Sequence, residues 1–207
     1  MNLHYERHNY SKAELTEDTI SADPFSQFEI WYQDAKASAI KEANAMVIAT
    51  ATPDGKPSAR IVLLKEFSKE GFVFFTNYDS RKGQEIRENP QGQILFFWDI
   101  LERQVRIEGR LEHISPERSD EYFDSRPIES RYGAIASPQS AVVPSRTYLE
   151  EQLAEAHSQP PVRPGHWGGY VLVPDYFEFW QGRPSRMHDR IFYRRQDSQW
   201  TTGRLAP

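Results

Sequence analysis

Residues 45–78 read AMVIATATPDGKPSARIVLLKEFSKEGFVFFTNY. Residues 45–52 are small or β-branched, as a strand requires, and Pro53-Asp54-Gly55-Lys56 has the composition of a tight turn. A second apolar run covers 57–65 and a third covers 71–78, so this stretch predicts successive strands joined by short connections. Downstream, Ser80 can cap a short helix running to Glu88, stopped by Asn89-Pro90. Strands follow at 93–98 and at 104–113, the latter alternating apolar and polar residues. Upstream, Asp23-Pro24 marks a helix start, and Phe25, Phe28, Trp31, Tyr32 and Ala35 recur at helical spacing, with an end expected near 42–45. Ser115-Pro116-Glu117 opens another helix to about 125, and helical turns fill 129–135 and 146–157. The Pro-rich stretch 159–165 is a loop, and closing strands are expected at 168–173, 176–181, 190–195 and 200–205.

Strands dominate, and helices do not alternate with them as in a doubly wound parallel sheet. The expectation is a mainly β, antiparallel protein, a barrel with peripheral helices. Residues 1–20, polar and aperiodic, are expected to form a mobile arm, and 21–207 a single domain.

The 207 residues suit one domain with a sizeable core. Lys and Arg total 25 against 30 Asp and Glu, a net charge of −5. That balance argues against a nucleic-acid partner. With no cysteine, disulfides, thiolate metal sites and thiol nucleophiles are excluded. The six histidines show no HExxH or HxxxH pairing, so no metal is expected. There is no GxGxxG, P-loop or GxSxG. The polar N-terminal stretch lacks the apolar core of a signal peptide, and no apolar run spans a bilayer, so a cytoplasmic protein without membrane contact is expected.

Several clusters carry chemistry. Arg60-Ile61-Val62-Leu63-Leu64-Lys65 places cations at both ends of an apolar strand, and an offset of five turns them to opposite faces, toward two different groups. Ser80-Arg81-Lys82 sets two cations at a helix N-terminus, where they oppose the macrodipole unless an anion binds. Tyr122, Arg126 and Ser130 are spaced by four and offer a phenol, a guanidinium and a hydroxyl on one helical face, suitable ligands for phosphate. Pro127 interrupts that helix ahead of Ser130. Near the C-terminus, Trp180 offers a flat apolar wall, and Arg186, His188 and Arg190 alternate on one face of an extended segment. Three potential cations on one face call for an anionic ligand, and His188 is the group best suited to change protonation near neutral pH.

Taken together in order, RIVLLK (60–65), FFTN (74–77), SRKGQEIRENP (80–90), ERQVRIEG (102–109), YFDSRP (122–127), SPQS (137–140), EFWQG (178–182), RMHDR (186–190) and RLAP (204–207) resemble the pyridoxine/pyridoxamine 5′-phosphate oxidase family. The resemblance runs from about residue 45 to the end. It implies an FMN-binding split β-barrel, acting as a homodimer with FMN between subunits. Carried onto this chain, it implies cofactor contacts from Arg60, Ile61, Val62, Leu63, Leu64, Lys65, Phe75, Thr76, Arg81, Lys82, Gln104, Gln139, Ser140, Trp180 and Arg190. Arg81 and Lys82 would grip the FMN phosphate. Lys65, Tyr122, Arg126 and Ser130 would hold a substrate phosphate. Arg186, Met187 and His188 would meet the substrate ring, with Arg186 and His188 as catalytic groups. Arg7 and Tyr10 would fold over bound substrate.

The activity implied is oxidation of pyridoxine or pyridoxamine 5′-phosphate to pyridoxal 5′-phosphate, with O₂ as acceptor, in vitamin B6 salvage. Hydride would pass from substrate C4′ to the flavin, giving hydrogen peroxide, and ammonia from the amine. Two other readings compete. One is another FMN or deazaflavin oxidoreductase on the same barrel, which has no reason to keep Tyr122, Arg126, Ser130 and RMHDR together. The other is a non-enzymatic pyridoxal-phosphate carrier, which makes no peroxide.

Overall fold

A computed structural model describes residues 2, 4–5 and 9–207. Arg7 therefore lies outside the described residues. Five α-helices and nine strands follow in the order α1 (Pro24–Ala37), β1 (Ala45–Ala51), β2 (Pro57–Leu63), β3 (Glu66–Ser68), β4 (Gly71–Asn77), α2 (Arg81–Glu88), β5 (Gln91–Trp98), β6 (Arg103–His113), α3 (Pro116–Ser125), α4 (Ile128–Ala136), α5 (Arg146–Ala156), β7 (Trp167–Gln181), β8 (Asp189–Gln196) and β9 (Gln199–Arg204). The strands form one sheet ordered β2-β1-β5-β6-β7-β4-β3, with β8 on β7 and β9 on β8. The pairs β3–β4, β4–β7, β7–β8 and β8–β9 are antiparallel. The expected mainly antiparallel β fold is borne out.

Local chemistry explains most boundaries. Asp23 caps α1 by accepting from Ser26 N, with Pro24 at the first turn, and Ser80 and Ser115 cap α2 and α3 in the same way. Three expectations need correction. Helix α1 ends at Ala37 rather than near 42–45, because Ser38 turns its hydroxyl (2.7 Å) and its N–H back onto Ala35 O. The strand expected over 57–65 stops at Leu63, and a short strand, β3, precedes β4. The strands expected at 168–173 and 176–181 are one strand, β7. It pairs with β4 over 167–172 and with β8 over 176–181, so Pro174 falls at the hand-over, where neither register needs its N–H.

The chain forms two compact units, each assembled from separated segments. No boundary falls at residue 20, where the arm was expected to end. The first unit takes residues 1–48, 93–109 and 174–207. Its core is aromatic: Phe28 meets Phe96 and Trp98, and Trp31 meets Phe179 edge-on at 5.3 Å. Residues of the expected arm join this unit. Leu15 is buried, and Glu102 accepts from the N–H groups of Ser11 and Lys12. The second unit takes residues 49–92 and 110–173, around buried Phe72, Phe74, Phe123, Tyr170 and Leu172.

A cation-lined cavity and a histidine cluster

The second unit holds a cavity of about 490 Å³. Its wall is Ile61, Val62 and Leu63 on β2 and Lys65 just past it, Phe75 and Thr76 from β4, Lys82 from α2, Tyr122, Arg126, Pro127 and Ser130 around the α3–α4 break, and Gln139 and Trp167. Eleven of these thirteen were expected at a ligand site; Pro127 and Trp167 were not.

Lys82 is the buried cation of the set. Helix α2 starts tight against the chain before it, because Gly83 has no Cβ: one placed there would sit 2.0 Å from Tyr78 O. The Lys82 Nζ donates to Gln139 Oε1 (2.8 Å), Thr76 Oγ1 (3.1 Å) and Ser80 Oγ (3.3 Å). All three acceptors are neutral. Burial, and then the charge of Arg60, pull its pKa down to about 8. An anion beside it would reverse both effects.

Arg60 and Lys65 do serve different groups, as their offset implied. Lys65 lines the cavity, while Arg60 donates to Thr50 Oγ1 (2.6 Å), Ser58 Oγ and Glu85 Oε2 (3.4 Å). Arg81 also turns to Glu85, with Nε 2.9 Å from Oε1. Two of the three arginines expected at the cofactor, Arg60 and Arg81, thus share one buried carboxylate. Burial acts to raise the Glu85 pKa, but hydrogen bonds from Ser58, Thr50 and Arg81 outweigh it and bring it to about 2. So part of the charge problem at the start of α2 is answered inside the chain, where the sequence pointed only to a bound anion. Leu64 is buried, and Ser140 is exposed with φ 72°.

Tyr122, Arg126 and Ser130 do not share one helix. Tyr122 is on α3, Arg126 caps its end, and Ser130 belongs to α4, which restarts after Pro127. The break still leaves all three on the cavity wall. Arg126 Nη1 is buried with no hydrogen-bond partner among the described residues. Burial lowers the pKa of this guanidinium, while Tyr122 acts to raise it. Such a donor calls for an acceptor from outside the chain, and in a cavity with Lys65, Lys82 and Ser130 that acceptor is an anion. The dimensions and cations suit a phosphorylated, flat ligand such as FMN.

The first unit carries the other expected residues. The His188 ring lies 4.7 Å from that of Trp180, and Tyr10 packs edge-on against both (5.8 and 5.7 Å). The expected alternation of Arg186, His188 and Arg190 on one extended face is corrected: Pro184–Arg186 form a 3₁₀ turn, with Ser185 and Arg186 at φ 56° and 61°, and β8 begins only at Asp189. His188 Nδ1 accepts from Arg183 N at 3.1 Å. In the neutral ring that leaves the proton on Nε2. Burial, and then Arg186, lower the pKa of His188, with Asp189 opposing. Arg190 donates through Nε to the buried Glu178 (2.9 Å), which also receives Arg106 (3.2 Å). Met187 is exposed and Gln104 is half-buried on β6. Glu178 and Glu85 escaped the sequence reading, since their arginine partners are mostly remote in the chain.

Among the described residues, no three His, Asp or Glu side chains are grouped to hold a metal ion, and no helix is long and apolar enough to cross a membrane.

Comparison with known proteins agrees with this picture. The chain is 55% identical to the pyridoxine/pyridoxamine 5′-phosphate oxidase of Burkholderia lata, over 97% of each chain, and 52% identical to that of Herminiimonas arsenicoxydans, again over 97% of each. Its fold matches that of PhzG from Burkholderia lata, solved in complex with tetrahydrophenazine-1-carboxylic acid, at a TM-score of 0.89 and 28% identity, covering 95% of this chain and 100% of that one. It also matches a pyridoxamine 5′-phosphate oxidase-related, FMN binding protein from Nostoc punctiforme at a TM-score of 0.74, over 91% of this chain and 100% of that one; at 19% identity this is a likeness of fold. The profile described as pyridoxamine 5′-phosphate oxidase covers residues 32–159, and that of the pyridoxine 5′-phosphate oxidase C-terminal dimerisation region covers 167–207. The chain belongs to the pyridoxamine 5′-phosphate oxidase family, whose members bind FMN on a split-barrel fold.

Proposed function

We propose that the protein is a homodimeric cytoplasmic enzyme that oxidises pyridoxine or pyridoxamine 5′-phosphate to pyridoxal 5′-phosphate. The observation that carries this reading is the cavity itself: Lys65, Tyr122, Arg126 and Ser130 surround a space in which a buried guanidinium nitrogen lacks an acceptor. A phosphate ester supplies that acceptor. On this reading Lys82, Thr76 and Gln139 bind the FMN phosphate, with Arg60 and Arg81 nearby on Glu85. Bound FMN supplies a two-electron acceptor, with O₂ as final oxidant and hydrogen peroxide as product.

The chain's own groups bind and orient. Lys65, Tyr122, Arg126 and Ser130 fix the phosphate end, which sets the reach of the pyridine ring. The Arg186 guanidinium stabilises negative charge on the ring. Neutral His188 presents its Nε2 proton to an oxygen or nitrogen substituent. Tyr10 and Trp180 both pack against the imidazole and against each other.

A second reading has support from the likeness to PhzG: oxidation of a reduced tricyclic carboxylic acid on the same fold. The two differ in whether the cations of the cavity must meet a phosphate ester. Peroxide release with pyridoxine 5′-phosphate should be fast, and with unphosphorylated pyridoxine at least about 100-fold lower in kcat/KM, the loss of two or three charge-assisted hydrogen bonds. Arg186→Ala should lower kcat/KM at least about 100-fold while FMN stays bound. Equal rates with and without the phosphate, or preference for tetrahydrophenazine-1-carboxylic acid, would overturn the proposal.

A further inference from the structure

Arg126 has an unusual setting. One nitrogen is buried without a partner, and the guanidinium lies over an aromatic ring: its Cζ is 4.7 Å from the Trp167 ring centroid. Leaving a buried donor unpaired costs stability, so this posture is held from elsewhere. An indole is the strongest aromatic partner for a cation, and more so when water is excluded.

Trp167 is itself held on several sides. It is 6% exposed and opens β7 opposite Asn77. Its N–H donates to Pro164 O (3.0 Å), and its carbonyl accepts from Arg163 Nη1 (2.7 Å), whose Nε is 2.5 Å from Asp120. Phe123 meets the indole edge-on at 5.3 Å, and Phe75 and Tyr122 lie nearly parallel to it at 5.6 and 6.2 Å. Gly169 follows on the same strand, where a Cβ would lie 2.4 Å from Ile114 and 2.9 Å from Phe75, so the strand runs flush against this aromatic group.

We infer that Trp167 is a positioning residue: its indole face holds the Arg126 guanidinium in the orientation that receives the substrate phosphate. This rests on the reading of Lys65, Tyr122, Arg126 and Ser130 as the phosphate site. The platform acts on ground-state binding of the phosphate and so governs KM rather than kcat.

The test uses the FMN-loaded enzyme with pyridoxine 5′-phosphate, reading peroxide, together with equilibrium dialysis of pyridoxal 5′-phosphate as a measure of binding alone. Trp167→Leu should raise KM and the dialysis constant about 10-fold, the size of a partly desolvated cation–π contact, with kcat within about two-fold and FMN content unchanged. Trp167→Phe, which keeps a ring, should recover most of the loss. In an Arg126→Ala background, where KM is already high, adding Trp167→Leu should change it by less than about two-fold. A raised KM in Arg126→Ala beside an unchanged KM in Trp167→Leu would overturn this inference alone. So would a Trp167→Leu effect that persists in full without Arg126, or one that takes FMN with it. An unchanged KM in Arg126→Ala would remove the phosphate reading, and this inference with it.

Discussion

Lys82 shows how much one side chain can carry. Its ammonium is buried on three neutral oxygens with the charge of Arg60 near it, and its pKa falls to about 8. The empty site therefore loses its proton as pH rises through 8, whereas a bound phosphate keeps it. FMN affinity should fall as pH rises above about 8, and binding there should take up protons from solution. Flavin fluorescence titration and calorimetry in two buffers check this. Lys82→Ala should weaken FMN by about 2 kcal/mol, roughly 30-fold. An affinity that ignores both pH and the substitution would place the FMN phosphate elsewhere.

His188 titrates the other way in effect. Its folded pKa lies below the ordinary 6.5, so the unfolded chain binds more protons between the two values. The stability that neutral His188 contributes is fully present above 6.5 and is lost as pH falls through the folded value. Activity should fall over the same range, and His188→Asn should flatten that acid limb of the kcat/KM profile. A limb that survives the substitution belongs to another group. Of the clusters read from adjacent residues, Ser80 and Lys82 do meet, while Arg81 turns to Glu85 and Arg186 sits in a 3₁₀ turn off the face expected for His188. Trp167 was not legible in the sequence: nothing local in His166-Trp167-Gly168 tells that an arginine 41 residues earlier rests on it.

At the scale of elements, α2 and its approach decide the site. Ser80 caps the helix, and Gly83 lets it begin against Tyr78. Gly83→Ala would force a carbon to 2.0 Å from a backbone oxygen that cannot swing away. The expected cost is about 2 kcal/mol or more, read by denaturant unfolding, with weaker FMN binding because Lys82 moves with the helix. A neutral substitution would mean that the start of α2 is looser than described. Helix starts were legible because capping is local, and Asp23, Ser80 and Ser115 all act within three residues. Strand ends were less so. That β7 continues through Pro174 depends on a change of partner, which no periodicity within 167–181 reveals. Pro127 was read correctly as a helix breaker, but only the fold shows that Ser130 reaches the same cavity after the break.

For the whole molecule, strand count and irregular helix placement pointed to a mainly antiparallel β class, but not to two compact units. Each unit gathers separated segments, 1–48, 93–109 and 174–207 in the first and 49–92 and 110–173 in the second, and only long-range pairing decides that. The first unit contains most of the region matched to a dimerisation profile, along with Trp180, His188 and Arg190; the second contains the cation-lined cavity. On the proposed function, this cavity with FMN bound serves a phosphorylated pyridine substrate. The visible spectrum of the purified protein, recorded before and after pyridoxine 5′-phosphate is added without oxygen, checks this in one step. A flavin spectrum that bleaches on addition and returns, with peroxide, when air is admitted is expected. A flavin that stays oxidised, or a protein that binds no FMN, would contradict it.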